Sequence, residues 1–401
     1  MHLIYLKAPI DKRIGGPSGY LGYLSEYLNN PSIIFVGRPS NGDNLKGLIN
    51  FNFKKYIPKS IKIVGKRILN RFSTNIIKNY FLDPYQFKSI DFTKVDSIHF
   101  HSTLDMFNFV NYNRDLSKKI IKILTSHSPE MPALERIRNF DYLNKREYER
   151  LLIFLKEVDT IAFKEADYLI FPSKNSLEPY YQTFDNFKDI IKNKKIKFLY
   201  TGVEKLSYKL DREEFRKRLN LRDEFLISYV GRHNKVKGYD ILQEVAKIIW
   251  KENPDIYFII AGREEPIKGL KDNRWIEIGW TDDPGSIINA SDLFVLPNRY
   301  TFFDLVLLEV LSLGKVAVVS NTGGNKDIIE LTKGIIGFEK ENIIDLKEKI
   351  LMVYKLSKEE RVRLGSNNEE IWHRYFTVKQ MVLEYYKILN EIYEENYLDL
   401  I

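Results

Sequence analysis

Twelve short apolar runs of four or five residues punctuate this chain, six before residue 200 and six after it. The first six cover residues 3–6, 33–36, 97–100, 120–124, 168–171 and 196–199. The second six cover 226–230, 257–261, 275–278, 293–296, 316–319 and 335–338. Each is too short to be a helix, and helical patterns fill the stretches between them. Strands apolar on both faces, alternating with helices, require parallel sheets covered on both sides. At 401 residues the chain is too long for one ordinary core. It is read as α/β, with two doubly wound, Rossmann-like domains. One helix is expected over 239–251, with Ile241, Leu242, Val245 and Ile248 on its inner stripe. Another is expected over 305–313, ended by Gly314. The joint falls near Tyr200-Thr201-Gly202-Val203-Glu204, dividing 1–202 from 203–371. A last helical pattern follows over 372–401, with Met381, Tyr385, Ile388, Leu389 and Ile392 in register.

Composition removes several classes of function. There is no cysteine, so disulfides, thiolate metal sites and cysteine nucleophiles are excluded. No His/Asp/Glu spacing suggests a metal site. No apolar run approaches the roughly 20 residues of a membrane span. The start, Met1-His2-Leu3-Ile4-Tyr5-Leu6-Lys7, reads as a first strand and lacks a signal peptide's long apolar stretch. The expected location is the cytoplasm. The net charge of +8 is unevenly placed: residues 1–200 hold 32 basic and 20 acidic side chains, the remainder 30 and 34. Residues 44–82 contain no acid and nine bases, with Ile61, Val64, Ile68 and Phe72 at helical spacing. A basic amphipathic helix suits the anionic inner face of a membrane, or else is a solvated helix packed on its own domain. No nucleic-acid signature accompanies the charge, and no nucleic acid is expected as partner.

In open α/β sheets, ligands collect at the carboxyl ends of the strands. The residues there are chemically specific. Gly15-Gly16-Pro17-Ser18-Gly19 follows the first strand and precedes a helix patterned by Leu21, Leu24 and Leu28. Such a turn either lets backbone N–H groups approach a phosphate or is only a tight connection. Gly231-Arg232-His233-Asn234-Lys235-Val236-Lys237-Gly238 follows strand 226–230. A guanidinium grips two phosphate oxygens and a lysine adds a point charge. Ser291-Asp292-Leu293-Phe294-Val295-Leu296-Pro297 forms the next site-bearing strand, and Asp304-Leu305-Val306-Leu307-Leu308-Glu309 opens a helix. Glu309 is a carboxylate in apolar company that needs donors, such as ribose hydroxyls. His127 and His101 each directly follow a strand.

These three stretches, in this order and spacing, resemble the donor half of the retaining GT-B glycosyltransferases of family 4 (glycosyl transferases group 1). In the first half the resemblance rests on the Gly15-Gly16 loop, the stretch around His127, and Ala166-Asp167-Tyr168-Leu169-Ile170-Phe171-Pro172-Ser173. It implies two facing Rossmann-like domains with the active site in the cleft between them, and a last helix returning to the first domain. It implies donor binding by Gly15, Gly16, Arg232, Lys237, Gly262, Thr301, Leu305, Val306 and Glu309. It implies catalytic roles for His127, Arg232, Lys237 and Asp304, without a metal or other cofactor. The loops Gly262-Arg263-Glu264-Glu265 and Gly279-Trp280-Thr281-Asp282-Asp283 would frame base and ribose, and Gly323-Gly324 would approach the phosphates. The sequence departs from the family at Thr301, where the first Glu of a Glu-x7-Glu motif usually stands, and at Phe302, Phe303 and Asp304, which are usually small. Asp304 either replaces the missing carboxylate or caps the helix at Leu305.

The resulting expectation is a hexosyltransferase-type enzyme. It would move a sugar from a nucleotide-sugar, expected to be a UDP-sugar, to a glycan or lipid-linked acceptor in bacterial surface polysaccharide synthesis. Two alternatives stand beside it. One is a non-catalytic glycosyltransferase-fold subunit that binds glycan or a partner enzyme, motivated by Thr301. The other is a nucleotide-sugar epimerase.

Overall fold

The computed structural model describes residues 1–12, 16–38, 78–79 and 81–398. Gly15 and nearly all of the basic stretch 44–82 lie outside the described residues. The twelve apolar runs are twelve strands: β1 (His2–Pro9), β2 (Ile33–Arg38), β3 (Ser97–Phe100), β4 (Ile121–Leu124), β5 (Tyr168–Phe171), β6 (Lys195–Phe198), β7 (Phe225–Val230), β8 (Ile256–Ala261), β9 (Trp275–Gly279), β10 (Leu293–Leu296), β11 (Ala317–Ser320) and β12 (Ile335–Phe338). Contacts divide the chain into two units. One comprises Met1–Phe171 with Tyr180–Lys197, the other Pro172–Pro179 with Phe198–Ile401. Residues 372–401, expected as a helix returning to the first domain, are grouped with the second unit. There Val203 N–H donates to the Phe376 carbonyl at 2.8 Å, and helix Val378–Leu398 follows.

The first unit holds a sheet of order β2-β1-β3-β4-β5-β6, and its registered pairs are parallel. All four residues of β3 and of β5 are buried, as interior strands of a parallel sheet must be. The strand order reverses between β1 and β3, so the loops after these strands flank a crevice at their carboxyl ends. Helix Gly16–Tyr27 leaves the β1 loop and buries Leu21 and Leu24 completely.

The second unit holds the order β12-β11-β10-β7-β8-β9, again parallel in every registered pair. Helix Tyr239–Ile249 puts Ile241, Leu242, Val245, Ala246 and Ile249 into a core shared with Ile227, Tyr229, Phe258, Ile260, Val295 and Val318. Burying a side chain of this size contributes roughly 1.5–3 kcal/mol, so this stripe fixes which face of the helix turns inward. Here the order reverses between β7 and β10. The loops after these two strands, 231–238 and 297–304, are brought side by side although some sixty residues separate them.

Candidate active site

The start of helix Tyr239–Ile249 is set by Gly238. It adopts φ +64, and a Cβ there would collide with the Pro297 carbonyl. A glycine is therefore needed for the β7 loop to touch the β10 loop. Arg299 locks the contact. Its backbone N–H donates to the Val236 carbonyl at 2.9 Å, and its guanidinium spans both carboxylate oxygens of Asp240 at 2.7 and 2.9 Å. Neither Arg299 nor Asp240 stood out in the sequence, because a brace of this kind has no spacing signature.

Lys237 and Asp304 meet across this junction. The Lys237 ammonium lies 2.8 Å from Asp304 Oδ1. Asp304 is 6% exposed and takes two more donors, Asn298 Nδ2 at 2.6 Å and the Thr301 hydroxyl at 2.5 Å. The helix-cap reading of Asp304 is thereby corrected: its side chain makes no cap hydrogen bond to helix Leu305–Ser312. Its lone pairs are already engaged by three side chains from two loops. Thr301 is buried at 1% exposure and serves Asp304. Asn298, which the sequence reading missed, is the third member. Arg232 differs from Lys237. It is exposed, and no acid pairs with its guanidinium among the described residues, while its carbonyl accepts from the Tyr229 hydroxyl at 2.9 Å.

The bulky Phe302 and Phe303 have a packing reason. Phe303 lies against Tyr200 and Phe376, with ring centroids 5.9 and 6.1 Å away. The loop before the helix also presses on Gly323-Gly324. Gly323 sits at φ +49, and a Cβ on it would strike the Thr301 carbonyl. Gly324 N–H donates to the Phe302 carbonyl at 3.2 Å. The neighbouring Gly323 N–H is taken by Glu178 at 3.1 Å.

Glu309 stands apart from this cluster. It lies in the second turn of helix Leu305–Ser312, among the buried Leu307, Leu308, Val310 and Leu311, and its carboxylate has no hydrogen bond or ion pair among the described residues. Burial pushes its pKa up to about 7. Leu305 and Val306, half-buried, form the first turn of the same helix. A raised folded pKa means that the folded chain keeps a proton which the unfolded chain loses above about pH 4.3. This group's contribution to stability is therefore lost as pH rises through about 7. Glu309→Gln is expected to stabilise the ligand-free chain by about 1–3 kcal/mol at pH 8 and to change little near pH 4. Denaturant titrations at the two pH values check the sign.

The loops after β8 and β9 meet at one point. Gly262 N–H donates to the Gly279 carbonyl at 2.9 Å. His233, fully buried beside Arg232, stacks on the Tyr239 ring at 4.1 Å with an interplanar angle of 3°. Trp280 is 67% exposed at the end of β9. Asp283 is spent as a helix cap, accepting from Ser286 N–H at 3.2 Å, and Asp282 pairs with Lys209.

In the first unit, His127 and His101 are in direct contact. His101 Nδ1 and His127 Nε2 are 2.9 Å apart. Tyr20, from the helix that Gly16 opens, lies against both rings, with centroids 5.6 and 5.1 Å away. Gly16 itself has φ +57 and open space beside it. Burial lowers His127 to about 4 and holds His101 well below the usual range, so both rings are neutral at pH 7.

Comparison with known proteins bears on the fold and on the second unit. Residues 211–371 match the family described as Glycosyl transferases group 1. An Escherichia coli UDP-Gal:alpha-D-GlcNAc-diphosphoundecaprenol alpha-1,3-galactosyltransferase is 35% identical over 120 residues, 27% of this chain and 31% of that protein. The E. coli O-antigen biosynthesis glycosyltransferase WclY is 25% identical over 57% of this chain and 63% of its own length. The match to each of these two thus spans less than two thirds of the relative. An uncharacterized 41.2 kDa protein of the Klebsiella pneumoniae cps region is 24% identical over 82% of this chain and 88% of its own. Among solved structures, sucrose-phosphate synthase from Thermosynechococcus elongatus aligns with a TM-score of 0.65 at 18% identity, covering 98% and 99% of the two chains. Anabaena HepE, solved with UDP-glucose, gives 0.60 at 14%, covering 98% and 100%. The fold is GT-B, and within it residues 211–371 match the family described as Glycosyl transferases group 1.

Proposed function

We propose that this chain is a retaining hexosyltransferase of family 4. It takes a sugar from a UDP-sugar and places it on a hydroxyl of a glycan or lipid-linked acceptor during surface polysaccharide assembly. The observation that carries the reading is the pairing of Lys237 with Asp304 at the β7/β10 switch point, inside the segment that matches group 1. That is where an α/β sheet receives its ligand. Arg232 and Lys237, rather than a metal ion, are taken as counter-charge for the departing diphosphate. Asp304 holds Lys237 in place, and Glu309 takes nucleotide hydroxyls. Leu305 and Val306 offer backbone amides at the helix start. Gly16, with Gly15, and Gly262 let backbone approach the donor, while Thr301 acts through Asp304. His127 serves the reacting sugar. Retention follows a same-face course: the sugar–phosphate bond breaks, the acceptor oxygen bonds to the same face, and its proton passes to the leaving diphosphate. The UDP-galactose donor and diphosphoundecaprenol acceptor named for the E. coli relative support the choice of base and acceptor class.

A screen of UDP-, GDP- and ADP-sugars for binding, hydrolysis and transfer tests the reading. UDP-sugars are expected to bind, and the product anomer should keep the donor's configuration. A well-folded chain that binds no nucleotide would overturn it, and binding without turnover would favour the non-catalytic subunit. No described helix is long and apolar enough to cross a membrane. We place the chain in the cytoplasm, peripheral on the inner face of the cell membrane through residues 44–82. The nine bases there should float the protein with anionic vesicles at low salt and release it at high salt. A wild type that stays behind would point to a soluble acceptor.

A further inference from the structure

We infer that His101 is a positioning residue that locks His127 in the tautomer carrying its proton on Nδ1, so that His127 offers substrate a hydrogen-bond donor and not a base. The substrate part of this inference rests on the transfer reading above; the tautomer does not.

The geometry is as follows. His101 Nδ1 and His127 Nε2 are 2.9 Å apart, with ring planes 25° from parallel. Between two neutral imidazoles only one proton can occupy that bond. In one arrangement His101 donates from Nδ1 and its Nε2 is bare. In the other His127 donates from Nε2, and His101 must then carry its own proton on Nε2. His101 is 2% exposed, and its Nε2 is enclosed with no hydrogen-bond partner among the described residues. A buried N–H without an acceptor forfeits its hydrogen bond to water and gets nothing in return, and such orphan donors are rarer than under-used acceptors. The first arrangement therefore prevails. His127, neutral and accepting at Nε2, must hold its proton on Nδ1, where it makes no hydrogen bond among the described residues.

The titratable groups packed around the pair are Tyr20, from the helix after β1, and His99, whose ring lies 4.1 Å from His101 on β3. Neither is an anion that would hold an imidazolium. His99 is itself occupied with the Thr125 hydroxyl at 2.8 Å. In this environment His127 Nδ1–H can donate to a sugar or acceptor oxygen and fix its orientation. It cannot take that oxygen's proton, because Nδ1 already carries one.

The test uses the full chain with 15N-labelled histidine, free of ligand, at pH 7. Long-range nitrogen–carbon-proton correlations should give His127 the pattern of a protonated Nδ1 and a bare Nε2. His101→Asn, which can place an amide donor near Nδ1, should keep that pattern. His101→Phe should release His127 to a mixture rich in the Nε2–H form. With a donor and acceptor in hand, kcat in His101→Phe should fall about two- to tenfold, the scale of one orienting hydrogen bond, with KM for the nucleotide-sugar unchanged. An Nε2–H pattern on wild-type His127, or one unchanged in His101→Phe, overturns the assignment. If His101→Phe does not fold, the wild-type and His101→Asn spectra still decide it. Failure of the transfer reading would be seen separately, as wild type without turnover.

Discussion

Arg232→Ala and Lys237→Ala are each expected to lower transfer by roughly ten- to a thousandfold, the scale of removing one electrostatic stabiliser from a transition state. Their effects on stability should differ. Arg232 is exposed and pairs with no acid among the described residues, so its removal leaves the melting curve in place. Lys237 is the cationic partner of a buried carboxylate. Its removal leaves Asp304 with two neutral donors, at a cost of about 1–3 kcal/mol. Steady-state kinetics and denaturant titrations on the same preparations separate the two. Unchanged kinetics in both variants would remove these cations from the donor site.

Asp304→Asn tests the departure from the family pattern. The substitution keeps the shape but removes the charge that holds Lys237. It also sets an amide against the Asn298 amide, which donates to Asp304 Oδ2 at 2.6 Å. Transfer should fall about tenfold or more, the equivalent of about 1.4 kcal/mol in the barrier, while nucleotide binding falls less because Arg232 and Glu309 remain. A helix cap would behave otherwise, losing stability with little change in rate. Full transfer activity in Asp304→Asn would show that Asp304 takes no part.

Much of this was legible in the sequence. All twelve apolar runs became strands to within a few residues, because buried parallel strands are apolar on both faces and announce themselves. The helices beginning at Tyr239 and Leu305 were readable from their apolar pattern and, for the second, from Gly314 at its end. The candidate residues at the strand ends were chosen by the α/β rule. What the sequence hid was pairing. Asp304 looked equally like a cap and a catalytic carboxylate, since nothing in local spacing says that Lys237 will arrive beside it. Asn298 and Arg299 were missed because their partners sit on another loop. His101 was weighed alone, and only the adjacency of β3 and β4 reveals that it acts on His127.

The switch-point pairing also bears on how the molecule is made. β7 and β10 are hydrogen-bonded neighbours, yet β8, β9 and their crossovers lie between them in the chain. The Lys237–Asp304 pair is thus a long-range contact that the growing chain cannot form until β10 and the loop after it have been made. Long-range closures of this kind form late and slowly. If nucleotide binds there as proposed, it would recognise only chains in which the two loops have met, and so would draw the folding equilibrium toward them by mass action. Donor supply in the cell would then act as a quality check, protecting finished molecules from proteolysis and leaving unfinished ones exposed.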